Sequence, residues 1–263
     1  MRLPAALAER LTTEFEADVT AVDGIGGGSI SSAARVELAG GRVLLLKWNG
    51  GTPGMFGAEQ CGLALLAEAG ALRVPLVYGY AEPAEGRPGY IALEWLGRGA
   101  SSPVVEVQLG RGLARLHRGT GERYGLDHDN FIGANPQPNR VSDDWLLFFG
   151  EQRLGYQLDL LARNNYLPGR RRQRLERLLG RLGEWLPARP KASLLHGDLW
   201  GGNWITTAAG EPALIDPAVY YGHREAELAF TELFGGFSAT FYAAYNEAWP
   251  LDSGYRERKD IYN

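Results

Sequence analysis

Hydrophobic and polar residues alternate along the first hundred positions in patterns that predict both helices and strands. Apolar side chains recur at four-residue steps and predict an amphipathic first helix through Leu3, Leu7, Leu11 and Phe15. Strand-like runs at residues 31–38 and 42–48, joined by a turn at residues 39–41, predict a hairpin. Residues 24–29 contain too many glycines for a helix or a strand, and we expect a loop there.

A second helix is predicted from Thr52 to Ala69, because Pro53 suits the first position of a helix. Strands are expected around Val77 and at residues 90–95, and the polar, glycine-rich residues 97–103 are typical of a boundary. The later pattern is mainly helical, at residues 105–117, 143–163 and 170–186, with short apolar runs at 193–195 and 213–215. We therefore expect an α+β, bilobal protein, with a β-rich N-terminal lobe at 1–96 and a helical lobe at 97–263.

Composition narrows the class of protein. The 263 residues, 45% hydrophobic and 22% charged, suffice for a core without disulfides. The single cysteine, Cys61, excludes a disulfide framework and a cysteine-based metal site. A net charge of −4 argues against a nucleic-acid partner, and the longest aliphatic run, residues 43–46, is too short for a membrane span. The first ten residues do not fit a signal peptide, so we expect a cytoplasmic protein.

Short motifs exclude several common enzyme classes. The chain has only three lysines, Lys47, Lys191 and Lys259, and none stands in the Gly-Lys-Ser/Thr context of a Walker A loop. The sequence also lacks Gly-x-Gly-x-x-Gly, Gly-x-Ser-x-Gly and His-Glu-x-x-His. Simple P-loop, Rossmann, lipase-type and zincin interpretations therefore fail.

The strongest chemical signal is the pair Asp198 and Asn203, followed by Asp216 at the end of an apolar run. A spacing of five is that of a kinase catalytic loop, where the aspartate accepts the hydroxyl proton and the asparagine binds Mg²⁺. Asp216 stands where a second metal-binding aspartate is expected. Singly, these residues are more often turn formers or a helix cap. Together, in this order, they favour phosphoryl transfer from magnesium-bound ATP.

Lys47 ends the apolar run 43–47, and Glu59 follows twelve residues later on the predicted second helix. In a kinase-like lobe, such a lysine pairs with the ATP phosphates and with a helical glutamate. The alternative is a surface lysine at a strand end, although so few lysines in the chain favour the functional interpretation. Further candidates for ATP binding lie in the glycine loop and in a hinge-like run, namely Gly26, Gly27, Gly28, Ser29, Glu94 and Leu96.

Over nearly its whole length the sequence resembles the fructosamine kinases (ketosamine 3-kinases), a branch of the protein-kinase-like fold that includes aminoglycoside and choline kinases. The most specific matches are residues 196–204 and 216–225, and residues 231–237 complete the pattern. Other matching segments are residues 26–30, 46–49, 56–66, 129–133, 136–139 and 148–154.

This resemblance implies ATP- and Mg²⁺-dependent phosphorylation of the C3 hydroxyl of a ketosamine, either a small molecule or a glycated protein lysine. It implies that Asp198 is the base and that Asn203 and Asp216 hold magnesium. Lys47 and Glu59 would bind the phosphates. His196 is expected at the catalytic loop, which it organises through hydrogen bonds. The two candidates for substrate binding are Trp200 and Asn130.

The sequence departs from the family pattern at three places. Ser29 stands where some relatives carry a cysteine, so no thiol switch is expected in that loop. Glu227 stands where relatives usually have aspartate, and the family's C-terminal helical motif is expected to extend beyond Asn263. Two alternatives stay open: another small alcohol as acceptor, as in aminoglycoside or choline kinases, or a nucleotide-binding module without activity. The preferred ketosamine and the oligomeric state also stay open.

Overall fold

The computed structural model describes residues 1–26 and 31–263. The predicted nucleotide-binding residues Gly27, Gly28 and Ser29 lie outside these described residues. The N-terminal part is a five-stranded antiparallel sheet of order β1-β2-β3-β5-β4 with two helices. Its elements are α1 (Ala5–Phe15), β1 (Val19–Ile25), β2 (Ser32–Leu38), β3 (Val43–Asn49), α2 (Met55–Ala69), β4 (Val77–Ala81) and β5 (Gly89–Glu94).

The alternation of apolar and polar residues explains how β2 and β3 sit in this sheet. Every second side chain of each strand is buried, and the two strands pair in register from Ser32 opposite Trp48 to Glu37 opposite Val43. The buried face packs on Leu7 and Leu11 of α1. The strands β2 and β3 form the predicted hairpin, in which Lys47 pairs with Ala33; β3 continues past Lys47 to Asn49 instead of ending at the lysine.

Helices dominate the rest of the chain. Ser102 caps α3 by accepting a hydrogen bond from the backbone nitrogen of Val105. The helices are α3 (Pro103–Arg118), α4 (Trp145–Phe149), α5 (Tyr156–Arg163), α6 (Gly169–Leu179), α7 (Arg224–Phe234), α8 (Ala239–Ala248) and α9 (Tyr255–Tyr262). A π-helical turn (Gly150–Gly155) joins α4 to α5, and a 3₁₀ turn (Leu182–Glu184) follows α6.

Short strands between the helices carry the polar loops. β6 (Thr120–Gly121), β9 (Ala192–Leu195) and β12 (Tyr220–Gly222) form a sheet of order β12-β9-β6. β10 (Trp204–Thr206) pairs with β11 (Pro212–Leu214), and β7 (Asn130–Ile132) pairs with β8 (Asn135–Gln137). As a result, Asp198 and Asn203 lie on the loop from β9 to β10, and Asp216 lies two residues after β11.

One hydrophobic core joins both halves of the chain. It contains Phe56 and Leu63 of α2 together with Leu109 and Leu113 of α3, and it extends to Leu214 of β11. This shared core holds the N-terminal sheet beside the loops that carry Asp198 and Asp216.

The structure confirms the α+β class and corrects several predicted elements. The helix expected at 143–163 contains the π-helical turn, and the helix expected at 170–186 ends at Leu179, before Gly180. Helix α2 begins at Met55 rather than at Thr52. Hydrophobic patterning missed β1, because it is an edge strand with little burial, and β1 extends through Gly24 and Ile25, where a loop was expected. It also missed helices α7 to α9. Among the described residues, no helix combines the length and apolar character needed to cross a membrane.

Candidate active site

A cleft of about 600 Å³ runs between the N-terminal sheet and the polar loops after β9 and β11. Gly26, Lys47 and Glu59 line it from the N-terminal part, while Asp198 and Asp216 line it from the loops. A largely preformed cleft with convergent polar groups is the usual form of a small-molecule site.

Lys47 joins the two sides of this cleft. Its Nζ donates to Glu59 Oε1 on α2 at 2.6 Å and also donates to Asp216 Oδ1. Burial opposes the charge on Lys47, but the two carboxylates outweigh it and raise the pKa of the ammonium group. Burial also opposes the charge on Glu59 and raises the pKa of its carboxyl group, although the positive charge of Lys47 lowers it. The ammonium is therefore charged at neutral pH and lies where it can contact a bound anion.

The loop after β9 brings Asp198 and Asn203 together. The Asn203 amide nitrogen donates to the backbone oxygen of Asp198 at 2.7 Å and to its carboxylate Oδ2 at 3.0 Å. Burial raises the pKa of Asp198 to about 6, with Asp216 and Glu227 adding to the shift and Asn203 opposing it. At neutral pH this carboxylate is therefore mostly ionised, and its pKa is close to the range expected of a general base.

Asn203 and Asp216 provide oxygen ligands of the kind that Mg²⁺ takes in proteins. Because the Asn203 amide nitrogen is bonded to Asp198, its amide oxygen remains for another partner. The backbone nitrogen of Ile215 donates to the backbone oxygen of Asn203 at 3.0 Å, which ties the two ligand-bearing loops together. These two oxygen donors fit Mg²⁺, which would take its remaining ligands from phosphate oxygens and water.

His196 lies fully buried behind the loop. Its Nε2 donates to the backbone oxygen of Ile215 at 2.9 Å, and its Nδ1 accepts from the backbone nitrogen of Asp198 at 3.3 Å. Burial lowers the pKa of His196, which favours the neutral ring that this pattern of one donor and one acceptor requires. These contacts orient the backbone around Asp198 and Asp216.

Glu227 on α7 also supports the loop after β9. Its carboxylate accepts from the backbone nitrogens of Gly197 at 2.7 Å and His196 at 3.2 Å, and from His117 Nε2 at 2.8 Å. Burial works against ionisation, but His117, His196 and the backbone nitrogen of Gly197 outweigh it and lower the pKa of Glu227. Sequence reasoning noted Glu227 only as a departure from a family pattern. An acidic residue on a buried helix face gives no sign in the sequence of which backbone groups it will meet.

Comparison with known proteins assigns the chain to a family. The sequence model described as fructosamine kinase matches residues 3–263. The chain belongs to the fructosamine kinase family. The chloroplastic protein-ribulosamine 3-kinase of Arabidopsis thaliana is 36% identical over 262 residues, which cover 97% of this chain and 78% of that protein. A Synechocystis protein assigned as a ketoamine kinase is 42% identical over 213 residues, 80% of this chain and 70% of that one.

Solved structures give the same family and the wider fold. A Thermobifida fusca structure assigned as a fructosamine-3-kinase superposes with a TM-score of 0.87 at 31% identity, covering 98% of this chain and 88% of that one. An aminoglycoside-3′-phosphotransferase of type VIII has a TM-score of 0.55 at 22% identity, covering 98% and 97%, and shares the fold. The expected protein-kinase-like fold is confirmed. As a member of the fructosamine kinase family, the protein is an ATP-dependent phosphotransferase.

Glu94 and Leu96 line the same cleft, but the Glu94 carboxylate and the Leu96 backbone oxygen already have hydrogen-bond partners. Both carboxylate oxygens of Glu94 accept from Arg73 Nη2 at 2.5 Å, and one also accepts from the backbone nitrogen of Leu76. The backbone oxygen of Leu96 accepts from Ala208 at 3.1 Å. The Glu94 side chain therefore fixes the end of β5, and contact with a nucleotide at these two positions stays a prediction.

The two residues predicted to bind substrate have different surroundings. Trp200 lines the cleft, and 43% of its surface is exposed. Its ring packs over Gly202, so that a Cβ added to Gly202 would lie 2.3 Å from Trp200 Cη2. Asn130 also lines the cleft, but it is only 4% exposed and its amide atoms bond to protein groups. Trp200 is therefore free to contact a ligand with its ring face, while the Asn130 amide is engaged internally.

Proposed function

We propose that this enzyme transfers the γ-phosphoryl group of ATP to the C3 hydroxyl of a ketosamine, with Asp198 as the base that accepts the hydroxyl proton. The observation that carries this proposal is the convergence of Asp198, Asn203, Asp216 and Lys47 on one cleft. Phosphoryl transfer depends mainly on positioning and electrostatic stabilisation, which this arrangement of a base, a cation and oxygen ligands can supply.

Each residue has a separate part in the reaction. Asp198 orients the acceptor hydroxyl and takes its proton. Lys47, held by Glu59, binds phosphate oxygens of ATP. Asn203 and Asp216 would hold Mg²⁺, which neutralises charge on the transferring phosphoryl group when it is bound. His196 and Glu227 fix the backbone on either side of the base and act only through it.

The ketosamine acceptor is supported by the relatives named ketoamine kinase and protein-ribulosamine 3-kinase. The exposed ring of Trp200 beside Asp198 supports it as well, because an aromatic face can stack on a sugar–amine adduct and attract its ammonium group. The acceptor is a small-molecule ketosamine or a glycated protein lysine. We also propose that the chain forms two lobes, 1–96 and 97–263, and that the enzyme works in the cytoplasm, as its single cysteine suggests.

The test is ADP release with magnesium and ATP against ribulosyl-lysine, fructosyl-lysine, an aminoglycoside and choline. We expect turnover with at least one ketosamine and its loss in Asp198→Asn. Turnover with choline or the aminoglycoside alone would keep the kinase and overturn the acceptor. If no acceptor is turned over while ATP still binds, the proposed reaction is wrong.

A further inference from the structure

The β7–β8 hairpin carries buried amide side chains at the wall of the cleft. Asn130 and Gln137 face each other across its two strands and are each 4% exposed, and Asn139 directly after it is fully buried. Phe131 and Gly133 of the same hairpin line the cleft. Buried amides need hydrogen-bond partners, and these partners indicate what the hairpin holds.

Two of the amides bond to the loop that carries Asp216. Asn130 Nδ2 donates to the backbone oxygen of Val219 at 2.8 Å, and Gln137 Nε2 donates to that of Ala218 at 3.1 Å. Gln137 also donates to Asn130 Oδ1 at 2.8 Å, and Asn139 donates to the same oxygen at 2.9 Å. The hairpin therefore forms hydrogen bonds with the backbone carbonyl groups of Ala218 and Val219, two and three residues after Asp216.

The catalytic loop holds the same segment from the other side. The backbone nitrogen of Ala218 donates to the backbone oxygen of His196 at 2.8 Å. Gly197 has φ +86°, and a Cβ there would lie 1.9 Å from the Ala218 oxygen, so the two loops touch. Asp216 itself has φ +56°, an unfavourable value for a residue with a side chain. Such a conformation persists only where the surroundings impose it.

The hairpin is in turn anchored at its far end and against α2. Arg153 of the π-helical turn donates to Asn139 Oδ1 at 2.7 Å and to the Pro138 oxygen at 2.6 Å, with its guanidinium 4.0 Å from the centre of the Tyr220 ring. On the other side, a Cβ on Gly54 would lie 3.8 Å from the Phe131 ring. The hairpin thus links the π-helical turn, the Asp216 loop and the region where α2 begins.

We infer that Gln137 and Asn130 are positioning residues that fix the Asp216 loop to the β7–β8 hairpin, so that the magnesium ligand, the base and this wall of the cleft keep one geometry. This inference rests on the proposed role of Asp216 as a magnesium ligand. A 1 Å displacement of reacting groups can cost about a hundredfold in rate, so a constraint of this kind has a measurable effect on turnover.

The test replaces Gln137 by methionine, which has similar length but no amide donor. The matched control is Asn135→Met, at an exposed amide of the same strand. Calorimetry gives the Kd of AMP-PNP with and without Mg²⁺, and steady-state kinetics gives kcat and the ketosamine KM. For Gln137→Met we expect kcat to fall by about 10–100-fold, the magnesium-dependent gain in AMP-PNP affinity to fall severalfold and the ketosamine KM to stay within about twofold.

The outcomes separate the possible roles of Gln137. A higher ketosamine KM with an unchanged magnesium-dependent gain would mean that Gln137 serves the acceptor directly, and it would overturn the inference. Unchanged kcat and unchanged Kd values would overturn it too. If wild-type protein shows no magnesium-dependent gain, the magnesium role of Asp216 fails first, and this inference fails with it. Circular dichroism checks folding, and Gln137→Asn, whose shorter arm cannot reach both acceptors, replaces a variant that does not fold.

Discussion

Lys47 and Asp216 form a direct ion pair although 169 positions separate them in the sequence. The contact crosses the cleft, and Glu59 shares the same ammonium group. It joins β3 of the N-terminal sheet to the loop after β11. The fold therefore places the lysine and both carboxylates together in the cleft, as the proposed phosphate binding requires.

Replacing Lys47 by methionine should damage both catalysis and stability. We expect the KM for ATP to rise at least about tenfold and kcat to fall, because the phosphates lose their cation. The free energy of unfolding should fall by about 3 kcal/mol, because Glu59 and Asp216 then face each other without a counter-ion. Lys191→Met, at an exposed lysine outside the cleft, is the control for both measurements. Wild-type ATP kinetics in Lys47→Met would contradict the assignment.

Asp198→Asn should abolish turnover and leave ATP affinity within a few-fold of the wild type. The amide cannot accept the hydroxyl proton, whereas the groups that bind the nucleotide stay in place. Turnover is measured by ADP release and affinity by calorimetry with AMP-PNP. Asp252→Asn, at an exposed carboxylate, is the control. Near-normal turnover in Asp198→Asn would rule out this residue as the base.

Trp200→Ala should raise the KM for the ketosamine severalfold and leave the KM for ATP unchanged. The indole is 43% exposed in the cleft, where its face is available to a sugar–amine adduct. Trp185 is similarly exposed, at 39%, but does not line the cleft, so Trp185→Ala is a matched control. An unchanged ketosamine KM in Trp200→Ala would remove Trp200 from the substrate site.

His223 should make the fold sensitive to acid. Burial lowers its pKa to about 3, and the charges of Arg258 and Arg224 and the ring of His117 add to this shift. Histidine in an unfolded chain has a pKa near 6.5. Below that pH, His223 is therefore protonated in the unfolded chain but stays neutral in the folded chain. Stability is thus fully present above pH 6.5 and is lost as the pH falls toward 3.

His223→Asn removes this proton while keeping an acceptor for the hydroxyl of Tyr262. Between pH 6.5 and pH 4 the variant should lose about 2–3 kcal/mol less stability than the wild type, as measured by urea unfolding. The control is Asn135→Ala, at an exposed amide that carries no titrating proton, and it should follow the wild-type slope. Parallel slopes for wild type and His223→Asn would contradict the prediction.

Much of the site could be predicted from the sequence, because kinase chemistry requires particular residue types at short, regular spacings. Asp198 and Asn203 are five residues apart, and one loop between two short strands brings them into contact. Lys47 could be placed on a strand because the apolar run 43–46 precedes it, but the strand does not end there and continues to Asn49. Asn130 shows the limit of this reasoning, since a motif identifies an amide but not the carbonyl group to which it will bond.

The sequence by itself determined the α+β class, the first helix, the β2–β3 hairpin and the residue types of the catalytic loop. These follow from local periodicity and turn chemistry, which act over a few residues. Only the tertiary structure decided three contacts: the ion pair of Lys47 with Asp216, the hydrogen bond from the Gly197 backbone to Glu227, and the hydrogen bond from Gln137 to the backbone of the Asp216 loop. Each of these contacts joins residues at least 30 positions apart, and the shared core and the burial of polar groups select them.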